Sequence, residues 1–175
     1  KPDGGLRPIA VGEVWYRLAG LCAMAASPDP GALLAPLQLG VRVRGGAQCV
    51  GQALKAGIVS DPGCVTVTFD WRNAFNTVSR QAVLDAVAAR LPSLLPFARW
   101  AYSQPTPLTL LGAPPDTPPI MSECGVRQGD PCGPLFFALA LQGPLEAMAR
   151  EHPASPVLAY ADDCTLRAAR SKPQR

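Results

Sequence analysis

The stretch Val157-Leu158-Ala159-Tyr160-Ala161-Asp162-Asp163-Cys164-Thr165-Leu166 sets two adjacent acids inside an otherwise apolar run. A carboxylate in such surroundings loses hydration, which is costly unless a cation or hydrogen-bond donors compensate. Two neighbouring carboxylates also repel each other. No lysine or arginine stands beside the pair until Arg167. The simplest arrangement is two strands joined by a tight turn that presents both acids to a bound divalent ion. An isolated Asp-Asp is more often a solvated surface turn, so the rest of the chain has to decide.

Working outward, Cys64 to Asp70 alternates, with Val65, Val67 and Phe69 on one face and Thr66, Thr68 and Asp70 on the other, the period of a strand. Ser79 suits the N-cap of a helix that carries Leu84, Val87, Ala88 and Leu91 at helical spacing. Val14, Leu18, Leu21 and Ala25 keep the same period in a helix over Val14–Ala26, which Pro28 and Pro30 end. A short strand is expected at 8–11 and a helix at 47–56, closed by Gly57. The six prolines between 104 and 120 predict a loop with a short hairpin around 108–111. Gly129 to Pro134 reads as a tight loop, and Leu135–Leu141 opens a helix that Pro144 must kink or restart.

The whole composition is consistent with this. A chain of 175 residues, 48% apolar, is long enough to bury one core. Its 20 prolines and 16 glycines predict many connections, yet stay below the share that marks a low-complexity chain. A net charge of +3 permits a polyanionic partner without requiring one. Six cysteines without a C-x-x-C pair, and one histidine, His152, exclude zinc-ligand spacing. The thiols read as reduced packing residues of an intracellular protein, with nucleus and cytoplasm not distinguished. No apolar run approaches the ~20 residues that span a bilayer, so no membrane partner is expected. The start lacks a methionine and the end is abrupt, so a fragment is expected.

Five segments resemble the ordered motifs of reverse transcriptases. Phe69-Asp70-Trp71-Arg72-Asn73-Ala74-Phe75-Asn76 resembles the first catalytic motif, and Tyr160-Ala161-Asp162-Asp163 the second. Arg127-Gln128-Gly129-Asp130-Pro131-Cys132-Gly133-Pro134-Leu135-Phe136 resembles the loop and helix under the incoming nucleotide. Lys1-Pro2 and Arg7-Pro8-Ile9 resemble the fingers segment that grips the triphosphate, and Gly40 to Gln48 the glycine-rich segment ahead of the first catalytic strand. Gln-Gly-Asp-Pro-x-Gly-Pro-Leu is most similar to non-LTR retrotransposon enzymes, although group II intron enzymes and retrons share Tyr-Ala-Asp-Asp. Cys132 departs from the apolar residue, commonly leucine, usual in that loop.

The resemblance implies an α+β fold: a right-hand polymerase palm with an antiparallel sheet backed by helices near 80–91 and 134–150, plus part of the fingers. Residues 1–57 would be mostly fingers and 58–175 mostly palm, with the thumb absent. It also implies roles. Asp70, Asp162 and Asp163 would be catalytic and would hold two magnesium ions, or manganese in their place, with the carbonyl of Trp71 completing a coordination shell. Arg7, Phe75, Gln128 and Gly129 would bind the nucleotide, with Phe75 crowding a 2′-hydroxyl and favouring deoxynucleotides, and with Lys1 a weaker phosphate contact. Tyr160 would lie near the primer end, and Arg42 and Arg44 on the template. The partners would be an RNA template, a DNA or RNA primer and deoxynucleoside triphosphates, in an oligomeric state that stays open. Two other readings stand beside RNA-directed DNA synthesis: an inactive remnant that binds nucleic acid weakly, and an RNA-templated RNA polymerase, which Phe75 disfavours.

Overall fold

The structure, a computed structural model, describes residues 9–168. Two compact units interleave along the chain. Within the described residues, one unit comprises the stretch up to Pro28 together with Asn73–Phe137, the other Asp29–Arg72 and the stretch from Ala138 onward.

The first unit is mostly helical: α1 (Val14–Ala25), α4 (Ala74–Thr77), α5 (Arg80–Arg90), a 3-10 turn at Pro92–Leu94, α6 (Leu95–Tyr102) and the opening of α7 (Gly133–Glu151). Ser79 caps α5 as expected, its hydroxyl accepting from the Ala82 amide. The buried stripe of α5 runs through Val83, Val87 and Leu91 rather than Leu84 and Ala88, because α5 packs on the 3-10 turn and α6. α1 is likewise a helix whose buried face differs from the expected one. Val14, Leu18 and Leu21 are exposed, while Gly20 is buried and Tyr16 turns inward onto Phe97 and Trp100. Residues 9–11 form no strand; instead the Ala10 amide donates to the Gln128 carbonyl at 2.7 Å. The proline-rich segment does form a hairpin, but of β2 (Thr106–Leu108) with β3 (Ile120–Ser122), closed by a longer loop than expected.

The second unit holds α2 (Pro30–Leu34), α3 (Gly46–Ser60), β1 (Val65–Asp70), β4 (Val157–Tyr160), β5 (Asp163–Ala168) and the C-terminal part of α7. The three strands make an antiparallel sheet in the order β1-β5-β4. Strand alternation turns Phe69, Cys164, Leu166, Val157 and Ala159 to one face, where Leu141, Leu145 and Met148 of α7 cover them. This is the expected antiparallel sheet with one of its two expected backing helices, that near 134–150; α5, the other, belongs to the first unit, where it packs on the 3-10 turn and α6. Pro144 neither ends nor restarts that helix, which runs unbroken for 19 residues. Gly57 does not close α3, which continues to Ser60. All six cysteines are free, but only Cys132 and Cys164 are buried; Cys22, Cys49 and Cys124 lie on solvent-facing surfaces, and Cys64 is half-buried. No helix among the described residues is long and apolar enough to cross a membrane.

Candidate active site

β1 carries Asp70 at its C-terminal end, where it faces Asp163, the first residue of β5, across the antiparallel ladder. Because β5 is the middle strand, Asp163 has a second cross-strand neighbour, Tyr160 at the end of β4. Ala161 and Asp162 form the two-residue turn between them. Phe69, Cys164 and Ala159 point into the core, so Asp70, Asp163 and Tyr160, one residue further along, point to the opposite face. Asp70, Asp163 and Tyr160 are exposed, and Asp162 is half-buried.

Like charges directly opposite on a ladder are destabilising. No lysine or arginine among the described residues forms an ion pair with these acids. Nor do any three His, Cys, Asp or Glu side chains among the described residues already converge closely enough to hold a metal ion. The backbone register sets Asp70 opposite Asp163, with Asp162 on the adjoining turn. Trp71 follows Asp70 at the surface, 45% exposed. Burial pushes the Cys164 thiol's pKa up; a hydrogen bond with Trp71 opposes this, and the charges of Asp163 and Asp162 add to it.

The turn itself is held by a residue the sequence did not single out. Gln38 is fully buried, and its amide oxygen accepts from the Ala161 amide at 2.8 Å and the Gly40 amide at 2.9 Å. Its amide nitrogen donates to the Ala161 carbonyl at 2.9 Å. Next to it, the Ala159 amide donates to Leu37 at 2.6 Å and the Leu39 amide donates to Ala159 at 2.7 Å, so this segment shields the free edge of β4. Arg42, in the left-handed region at φ 56°, and Arg44 are exposed in the following loop.

In the first unit, the segment Arg127–Gly133 is organised around Asp130, only 4% exposed. Its carboxylate accepts from the hydroxyls of Tyr16 and, at 2.6 Å, Tyr102, and from the Cys132 amide at 2.8 Å. Arg127 lies 3.5 Å from it and over the faces of both tyrosines. Burial, reinforced by Asp130, raises the pKa of both tyrosines well above the ordinary phenol value, so they stay donors at neutral pH. Burial and the same carboxylate push the Cys132 thiol up to about 12, which makes it an inert packing group. Gly129 sits at φ 108°, where a Cβ would come within 2.7 Å of the Ala10 carbonyl oxygen, so only glycine fits. Gln128 is half-buried. Phe75, in α4, stacks on Phe137 with ring centroids 4.4 Å apart. A cavity of about 480 Å³ opens beside this network, bordered by Trp15, Trp100 and Leu108, with Arg127 and Asp130 in its wall.

The expected site residues thus fall in two groups: Asp70, Trp71, Tyr160, Asp162, Asp163, Arg42 and Arg44 in one unit, Phe75, Gln128 and Gly129 in the other. Arg7 and Lys1 lie outside the described residues. His152 is exposed and joins neither group.

A family model for reverse transcriptase (RNA-dependent DNA polymerase) matches residues 1–173. The chain belongs to the reverse transcriptase family. This reverse transcriptase sequence is 28% identical over 180 residues to a retrotransposable element SLACS 132 kDa protein of Trypanosoma brucei gambiense. The alignment covers 96% of the chain but 14% of that protein, so the chain spans only a small part of its relative's length. The likeness bears out the expected retrotransposon type, and the mixed helix and antiparallel sheet bear out the α+β fold of a reverse transcriptase.

Proposed function

We propose that this chain is the part of a retroelement enzyme that performs RNA-templated DNA synthesis, joining deoxynucleotides to a primer 3′-hydroxyl. The observation that supports it most is the register of one sheet, which sets Asp70 opposite Asp163 with Asp162 beside it on the turn. The donor chemistry fits magnesium or manganese: hard carboxylate oxygens, two of them on exposed residues, repelling one another with no ion pair to a described cation. Asp70 and Asp162 would hold both ions, Asp163 would support one, and the Trp71 carbonyl would complete a shell. Two such ions supply activation of the attacking hydroxyl and neutralisation of the leaving phosphates.

The chain's own residues do the rest. Phe75, stacked on Phe137, would be the flat wall that crowds a 2′-hydroxyl and so selects deoxynucleotides. Gln128 and Gly129 offer backbone that can approach a base or sugar closely, because the Asp130 network holds their loop still. Arg7 would make charge-assisted contacts to the triphosphate. Tyr160, beside Asp163, would support the primer end, and Arg42 and Arg44 would meet template phosphates.

Primer extension tests this. The purified chain is incubated with a primed RNA template, magnesium and either labelled deoxynucleotides or ribonucleotides, with an Asp70→Ala variant alongside. Extension with deoxynucleotides that vanishes in the variant is the expected result. Preference for ribonucleotides would favour an RNA polymerase, and no extension under any condition would favour an inert remnant.

A further inference from the structure

We infer that Gln38 is a positioning residue for the acid hairpin, gripping the Ala161 peptide unit so that Asp162 and Asp163 project at a fixed angle. This rests on the polymerase reading of those acids. Ala161 is in the left-handed region at φ 56°, a conformation an alanine adopts only when its surroundings impose it. A two-residue hairpin turn needs positive φ there to match the strand twist, and glycine is the usual solution. Here an alanine occupies the position, and Gln38 supplies what the backbone alone does not. Its carboxamide bonds both the N–H and the C=O of Ala161, as an opposite residue in a strand ladder would.

The orientation of the amide follows from chemistry. Two backbone N–H groups, from Ala161 and Gly40, converge on one end of the side chain, so that end must be the oxygen. The other end faces a carbonyl and must be the NH₂. Full burial keeps bulk water from competing for these bonds. Gly40 completes the device, since a Cβ there would stand 2.3 Å from the Ala161 nitrogen and push the turn away. A merely structural buried glutamine would satisfy itself anywhere in the core. This one directs all its bonds to the residue before the paired acids and to the glycine that admits them.

Amide hydrogen exchange in the metal-free chain tests the grip, with Gln38→Met removing all three bonds at nearly constant volume and Gln38→Glu keeping the acceptor oxygen. In Gln38→Met the Ala161 amide should exchange about 10- to 100-fold faster, as loss of a buried hydrogen bond implies, while the β1–β5 ladder amides keep their protection. Gln38→Glu should retain most of the Ala161 protection. In primer extension Gln38→Met should lower kcat about 10- to 100-fold, the effect of misplacing catalytic groups by an ångström or less, with the KM for deoxynucleotide unchanged. Unchanged exchange at Ala161, or faster exchange spread evenly over the sheet, would overturn the inference. So would a Gln38→Met chain that keeps wild-type kcat. A wild-type chain that extends no primer would instead defeat the polymerase reading, while the exchange pattern alone still decides whether Gln38 grips the turn.

Discussion

At the scale of single residues, the buried polar groups are the most consequential, and they lie one step away from the side chains expected to meet substrate. Asp130 is the clearest case. Two tyrosine hydroxyls, a backbone amide and Arg127 all depend on its carboxylate, and the Arg127 side chain is only 10% exposed. Asp130→Ala would strand a nearly buried guanidinium, and breaking such a pair costs about 3–5 kcal/mol. Denaturant unfolding should show a loss of that size; a loss below about 1 kcal/mol, the worth of an exposed pair, would mean that the network is relieved by water. The sequence presents Asp130 only as part of a loop motif, and it gives no sign of Gln38. Neither omission is accidental. A buried polar side chain gives no periodic signal, and its partners lie far along the chain: Gln38 meets Ala161 across 123 residues and Tyr16 meets Asp130 across 114. The acids are legible for the opposite reason, since charge inside an apolar run is conspicuous from the order of residues alone.

At the scale of elements, what is legible is what is local. The strand ending at Asp70, the hairpin around Asp162 and the helix after Ser79 each announce themselves within a few residues, by alternation, by a break in polarity and by a cap. Ser79 accepts from Ala82 and α5 follows directly, so Ser79→Ala should cost about 1 kcal/mol, the usual worth of an N-cap. A shift in the thermal midpoint of the purified variant would measure it, and an unchanged midpoint would show that the cap is dispensable beside the packing of Val83, Val87 and Leu91. Which face an element buries is less legible, because that is decided by its neighbours. α1 has two candidate stripes, and aromatic contacts from Tyr16 to Phe97 and Trp100 select the one that the aliphatic pattern does not favour. α6 is too short and too proline-flanked to signal itself. α7 overrides its internal proline because its apolar length on both sides of Pro144 finds partners.

At the scale of the whole molecule, the residues to which the family resemblance assigns roles are divided between the two interleaved units, Asp70, Asp162 and Asp163 in one and Phe75, Gln128 and Gly129 in the other. This division follows from topology: β1 and the β4–β5 hairpin are far apart in sequence, and only their pairing brings Asp70 to Asp163. Whether that pairing makes a divalent-ion site is the question on which the proposed chemistry depends. Manganese binding to the purified chain, followed by electron paramagnetic resonance with magnesium as competitor, answers it for wild type and Asp162→Asn. The expected result is manganese binding that magnesium displaces and that Asp162→Asn weakens at least about tenfold, roughly 1.4 kcal/mol, with no lowering of the melting temperature of the ion-free protein. Equal manganese affinity in the two proteins would contradict it.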